Sequence, residues 1–271
     1  MNLIHYICMN MKYLPSLLTL TLVYLFAGCS NGNLDEKGFQ VSKITDDTDS
    51  PDTLGLNRDS LKIETKPSNV LLTGIPHIRL TTIYKVNLNK RDNSTFIGGN
   101  NFHNGYEEAD MVSGNNWNYN IIPGLEAVYG YNMVNISHYN ISENKQKNFF
   151  EKPVLIKTLY YPTFSNDTLN HIPVHRSYFI VTVYNDDTNK DGFINTRDLR
   201  RIYLFNINGE RQMALVNENY SVFKSEYDAA NDYMYLFAQL DSNNNGQKEE
   251  GEPIHIFWVD LKDPVKTGRL Y

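Results

Sequence analysis

Six residues between Asp187 and Asp198 present oxygen at a spacing that suits one kind of chemistry. In the segment DDTNKDGFINTRDL (186–199), Asp187, Asn189 and Asp191 alternate with other residue types. Gly192 follows, Phe193 supplies a main-chain carbonyl, and Asn195 and Asp198 close the run. Alternate side chains of a tightly wound loop turn to the same side, and a glycine lets the backbone reverse between them. Such a cluster suits a hard divalent cation, since Ca2+ takes six to eight oxygens at about 2.3–2.6 Å. The same residue types also make a solvated Asn/Asp hairpin turn, which does not require this spacing.

A second run, DSNNNGQKEEGE (241–252), repeats the pattern with Asp241, Asn243, Asn245, Gly246, the carbonyl of Gln247, then Glu249 and Glu252. Two neutral amides among its first three oxygen positions lower the field on an ion. Lys248 stands where the first run has the apolar Ile194, and Gly251 loosens the exit. A solvated acidic turn is the alternative here. Counted from Asp187 or Asp241, the occupied positions are those of the EF-hand calcium loop: 1, 3, 5, 7, 9 and 12, with glycine at 6. Both runs therefore resemble that loop. Asp198 in place of the more usual Glu makes the first similar to dockerin loops, where the shorter acid makes bidentate closure less assured. Strand-like flanks also give a resemblance to calcium loops grafted on β-hairpins in integrin-type propeller blades. The resemblance implies Ca2+ as a structural clip, not a helix pair that opens on binding.

The elements that must position these runs read as strands. HIRLTTIYKVNL (77–88), KPVLIKTLYY (152–161), SYFIVTVYN (177–185), RRIYLFNING (200–209), DYMYLFAQL (232–240) and IHIFWVDL (254–261) are rich in Tyr, Phe, Val and Ile and are bounded by Asn, Gly and Asp. No segment carries a long, capped helical period. A shift of 54 superposes Asp187 on Asp241 and Ile202-Tyr203-Leu204-Phe205 on Ile256-Phe257-Trp258-Val259. A shift of 66 superposes 136–147 on 202–213, the difference being an insertion around 165–176. Repeats of this length mark stacked supersecondary units. SEYDAANDYMYLFA (225–238) and IYLFNINGERQMALV (202–216) resemble blade elements of TolB-type propellers. The expected fold is all-β, with antiparallel propeller-like repeats forming a small or incomplete β-propeller of about four units over 70–271. A β-sandwich of hairpins is the alternative.

The N-terminus reads as an address. Residues 13–27, YLPSLLTLTLVYLFA, would rise only about 22 Å as a helix, short of a bilayer's ~30 Å hydrocarbon core. That length fits a signal peptide, and LFAGCS resembles a bacterial lipobox with Phe26 where Leu is commoner. The resemblance implies cleavage before Cys29 and acylation of that residue, hence a membrane partner through the lipid. Translation starting at Met11 is equally compatible. Residues 29–68, polar and without period, read as a disordered tether, and 69–271 as the β-repeat domain. DTL and DSL (52–54, 59–61, 167–169) resemble Bacteroidetes O-glycosylation motifs, at a length where chance serves as well.

A net charge of −6 argues against nucleic acid. The two cysteines, Cys8 and Cys29, leave no disulfide framework. His171 and His175 have a zinc-like spacing, but Pro173 between them opposes a helix. Taken whole, the chain resembles calcium-loop lipoproteins of Bacteroidetes. That implies a lipid-anchored envelope location, outer-membrane and periplasmic or surface-exposed, and a binding or scaffold role toward an envelope protein or glycan. The rival expectation is an envelope enzyme acting on glycans, which requires a cleft with two acids about 5–10 Å apart.

Overall fold

The computed structural model describes residues 37–41, 63–102 and 122–271. Their strands are β1 (Gly38–Gln40), β2 (Thr65–Leu72), β3 (Ile78–Leu88), β4 (Thr95–Ile97), β5 (Asn101–Phe102), β6 (Leu125–Tyr129), β7 (Met133–Asn140), β8 (Lys145–Asn148), β9 (Leu155–Pro162) and β10 (Thr168–Leu169). There follow β11 (Ile172–Pro173), β12 (Tyr178–Tyr184), β13 (Phe193–Asn195), β14 (Arg201–Asn206), β15 (Arg211–Ala214), β16 (Tyr220–Asp228), β17 (Tyr233–Leu240), β18 (Ile254–Asp260) and β19 (Thr267–Arg269). The fold is all-β and antiparallel, and all six strand-like runs of the sequence form strands. Residues 36–87 and 95–271 make one compact unit. The turn 88–94 belongs to another; within it Asn89 N–H donates to Ser94 O at 2.8 Å.

Three four-stranded meanders build the main unit: β2-β3-β7-β8, β9-β12-β14-β15 and β16-β17-β18-β19. Each is the up-and-down unit of a propeller blade. The repeat is visible in the turns after the third strands. Asn140 accepts from Ser142 N–H, Asn206 from Asn208 N–H and Asp260 from Lys262 N–H, each at 3.0 Å. Such Asx turns use a short side-chain oxygen to reverse the chain, which is why the 66- and 54-residue shifts superpose Asn140, Asn206 and Asp260. The insertion around 165–176 makes the small β10–β11 hairpin between the second meander's first two strands.

The second meander is buried on both faces. Phe179, Val181, Val183, Tyr203 and Phe205 enter a core shared with the first meander's Leu80, Met133 and Ile136. Their neighbours Tyr178, Ile180, Ile202 and Leu204 enter a second core with Val222, Met234, Leu236 and Val259 of the third meander. Alternate strand residues point to opposite faces, so a doubly covered strand must be largely apolar; YFIVTVY is so but for Thr182, and RIYLFN but for its end residues Arg201 and Asn206. The first and second meanders also join at one corner through the Met133–Ile156 pair.

Two expectations change in detail. The described residues hold three meanders where the sequence suggested about four; of the described strands between β3 and β7, β4 pairs with β3 and β6 with β9, so they extend existing meanders. A closed propeller needs about four blades or more, so three face-to-face layers make the incomplete form. Within the 29–68 segment read as a tether, residues 38–40 form β1 on β13, and β2 begins at Thr65. Phe39 explains the first: it is buried with Val134, Leu155, Tyr184 and Ile194, with Val41 packed beside it, an apolar anchor too short to register as a period. Cys8, Cys29 and the signal-like segment lie outside the described residues.

Arg176, just after the β10–β11 hairpin, fastens the second meander to the third. Its guanidinium meets Asp232 at 2.7 and 2.9 Å and donates to the carbonyls of Leu261 and Pro123, with both side chains nearly inaccessible. Removing one partner of such a buried pair strands the other charge. Asp232→Ala should therefore lower the unfolding free energy by about 3–5 kcal/mol in a denaturant titration. A loss under 1 kcal/mol would show the clip to be dispensable.

Candidate metal centre

The two oxygen-rich runs occupy equivalent places, each joining the second strand of its meander to the third: residues 185–200 between β12 and β14, and 241–253 between β17 and β18. They also share a backbone. Positions 4 and 6 are left-handed in both, with φ of 60° at Lys190 and 86° at Gly192, 57° at Asn244 and 76° at Gly246.

Their hydrogen bonds repeat as well. At position 1, Asp187 accepts from Asp191 N–H and Gly192 N–H at 3.0 and 2.9 Å; Asp241 accepts from Asn245 N–H and Gly246 N–H at 3.1 and 3.0 Å. At position 12, Asp198 accepts from Thr188 N–H and Asn195 N–H, both at 2.8 Å. Glu252 accepts from the matching Ser242 N–H and Glu249 N–H at 2.9 and 3.3 Å. These bonds wind each loop around its own acids. Since an ionised carboxylate has about four acceptor positions, they leave lone pairs for a cation.

Positions 3, 5 and 9 converge. In the first loop the amides of Asn189 and Asn195 lie 3.4 and 3.3 Å from Asp191 Oδ2. In the second, those of Asn243 and Asn245 donate to Glu249 at 2.9 and 2.6 Å. The partial positive charge of the amide NH2 groups lies against the carboxylate that a cation would otherwise attract. The position-7 carbonyl of the first loop is aimed by β1. Val41 N–H donates to Gly192 O at 2.9 Å, and bonded pairs alternate along an antiparallel ladder. Phe193, opposite Gln40, therefore falls between bonded pairs, and its carbonyl turns away from β1.

Asp198 is 1% exposed, and no lysine or arginine among the described residues lies within ion-pair distance of it. Burial pushes its carboxyl above the usual range, against the opposing pull of the N–H donors from Asn195, Asn189 and Thr188. A buried carboxylate normally requires a positive partner. Among the described residues no group of three or more His, Cys, Asp and Glu is gathered as a metal cluster; the loops instead combine acids with amides and a main-chain carbonyl.

The sequence pattern did not reveal that the loops touch. Asp198 bridges to Gln247 in antiparallel fashion, and the Thr188 hydroxyl donates to the Gly246 carbonyl while accepting from Leu199 N–H at 2.9 Å. The 54-residue shift was the available signal, since equivalent loops of stacked units are neighbours. Lys248, in the position that is apolar in the first loop, lies over the Phe223 ring at 5.3 Å, a cation–π contact.

The glycan-enzyme expectation asks for paired acids in a cleft. A cleft of about 590 Å³ between the outer turns of the first two meanders is lined by His138, Glu143 and Glu210. Glu210 is bound by Asn206 and Lys147, which hold its carboxyl below the usual range, opposite to what a general acid needs. His138 is a core histidine, its Nε2–H donating to Ile207 O at 2.8 Å and its pKa lowered by burial. His171 and His175 are exposed.

No protein-family model matches the chain, and no curated protein gives a significant match. Among solved structures it is similar to Porphyromonas gingivalis dipeptidyl peptidase 4 at 11% identity and a TM-score of 0.21, over 78% of this chain and 40% of that one. A likeness at that score carries no argument.

The two position-6 glycines separate loop shape from loop contact. A Cβ on Gly192 would meet nothing within 4 Å, whereas one on Gly246 would lie 1.9 Å from the Thr188 carbonyl oxygen. Gly192→Ala should cost only the left-handed strain of about 1–2 kcal/mol. Gly246→Ala should add an overpacking cost of about 1–3 kcal/mol. Equal losses on denaturant unfolding would mean that the loops are not held together.

Proposed function

We propose that the chain is a lipid-anchored cell-envelope protein whose adjoining loops, 187–198 and 241–252, bind Ca2+ as structural clips, and that it serves as a binding or scaffold module. The observation that carries the reading is the duplicated loop framework, closed in the first copy by Asp198, a buried carboxylate without a cationic partner. Two unrelated solvated turns would have no reason to share φ values at positions 4 and 6 and the same four carboxylate-to-backbone bonds. The ligands are Asp187, Asn189, Asp191, Asn195, Asp198 and the carbonyl of Phe193 in the first site. In the second they are Asp241, Asn243, Asn245, Glu249, Glu252 and the carbonyl of Gln247.

A structural role follows from magnitude. Extracellular calcium modules bind with Kd near 10⁻⁴–10⁻³ M. At ~1 mM calcium and a Kd of ~10⁻⁴ M, mass action stabilises the fold by roughly 1.4 kcal/mol per site. That suffices to fix two loops against each other and is small for a switch. The anchor rests on the lipobox-like LFAGCS and on Cys29. A partner is then an envelope protein or glycan, and the net charge of −6 disfavours nucleic acid.

Thermal unfolding and calorimetry of the full-length chain in non-ionic detergent, with 1 mM calcium or with chelator, test the metal. Calcium should raise the midpoint by several degrees, and Asp187→Asn with Asp191→Asn, which disable the first site, should remove about half of that rise. The reading fails if calorimetry detects no uptake at millimolar calcium. Fractionation of cells carrying Cys29→Ser tests the anchor separately: the variant should leave the membrane fraction, and its retention there would refute lipidation at that residue.

A further inference from the structure

A second, chemically opposite site lies between the second and third meanders. A cavity of about 240 Å³ there is lined by Lys157, Arg200 and Lys224, by hydroxyl-bearing side chains, and by no carboxylate. For a chain of net charge −6, three cations around one cavity, with no carboxylate among the described lining residues, is a local inversion. The three are not equivalent. Lys224 is ion-paired to Glu226 and lies over the Phe237 ring at 4.9 Å, so its charge is already engaged. Lys157 and Arg200 have no carboxylate within ion-pair distance among the described residues.

Arg200 is also held rigid. Its N–H donates to Ser221 Oγ at 3.1 Å, its carbonyl accepts from Val222 N–H at 2.8 Å, and its Nε donates to the Val222 carbonyl. Those bonds fix the guanidinium against β16 through Nε, and the guanidinium also reaches the Tyr184 hydroxyl. Lys157 is pressed from the same direction: burial, then the charges of Lys37 and Arg200, hold its ammonium below the usual lysine range. Like charges kept close without a counter-ion cost stability, and a bound anion reverses the sign of that interaction. Thr158, Thr182 and Ser225 line the same space with hydroxyls that can rotate toward an oxyanion, that of Thr182 giving up its 3.4 Å bond to the Thr158 carbonyl.

We infer that this inter-meander cavity is a binding site for a small oxyanion, a phosphate, sulfate or carboxylate group, held by Lys157 and Arg200 with the threonine and serine hydroxyls around it. The volume is below the roughly 300–1,000 Å³ of sites for drug-sized ligands. The ligand is therefore a free small anion or the anionic head of a larger molecule whose remainder lies outside. The site shares no ligand residue with the calcium loops, and its test is run without calcium so that the two readings fail separately.

The full-length chain, in non-ionic detergent and calcium-free buffer, is titrated by calorimetry with sodium phosphate, sodium sulfate and sodium acetate, each against sodium chloride of equal ionic strength. Saturable uptake of at least one oxyanion, about one per chain, is expected. Preference for the tetrahedral ions over acetate, or the reverse, identifies the group. Lys157→Gln should weaken binding by about tenfold or more, the scale of one lost charge-assisted hydrogen bond. Without an anion the variant should unfold no earlier than the parent, because a repulsion has been removed. Lys152→Gln, which alters a surface lysine paired to Asp186 outside the cavity, should bind like the parent. Absence of saturable uptake for all three ions, or equal affinity in the parent and Lys157→Gln, overturns the proposal.

Discussion

The constraint on which the rest of the structure depends is the burial of the second meander on both faces. Its residues alternate between two cores, and neither set can face water without exposing several aromatic and branched side chains. The layers on either side are therefore required. Hydrophobic burial at about 25 cal/mol per Å² acts without direction, so it cannot by itself set how the layers slide on one another. Directional bonds do that: Arg176 to Asp232 and Leu261 on one seam, and the single strand pair Met133–Ile156 with its neighbouring bonds on the other.

Stacking identical units has a geometrical consequence for chemistry. Whatever joins the second strand to the third in one meander lies beside its counterpart in the next. Two oxygen-rich loops 54 residues apart in sequence thus become neighbours, in contact through Thr188, Gly246 and the Asp198–Gln247 bridge. A chain that concentrates carboxylates in adjoining loops acquires mutual repulsion. Amide donors and main-chain N–H groups answer part of it, and a divalent cation would answer more. The first loop is further braced by β1, whose Phe39 anchor ties a segment from early in the chain to the loop's own strand, β13.

Much of this could be read from residue types. Runs of Tyr, Phe, Val and Ile became strands, the Asn and Asp turns closed the meanders, and the spacing from Asp187 to Asp198 became a loop wound on its own Asp187 and Asp198 carboxylates. What escaped the sequence shares one cause: it depended on few residues meeting across distance. Phe39 and Val41 are two apolar residues in a largely polar stretch, too few to show a period. Arg176 and Asp232 are ordinary charges in sequence, and only the packing of two meanders removes them from water. Lys157, Arg200 and Lys224 sit on three strands or strand ends and form no run. Periodicity reports on neighbours within an element and not on pairs made across distance.

The seam between the second and third meanders gathers both kinds of charge. Asp198 and Arg200 stand two residues apart, yet one turns into the oxygen-rich loop and the other into the basic cavity. Consecutive strand residues face opposite ways and alternate ones the same way, so a regular strand through 198–200 would have sent both side chains to one side and neutralised them as a pair. The chain is not a strand there: β13 ends at Asn195 and β14 begins at Arg201. The irregular exit keeps an acid and a base from meeting. Each is left buried or half-buried with its charge uncompensated by the other.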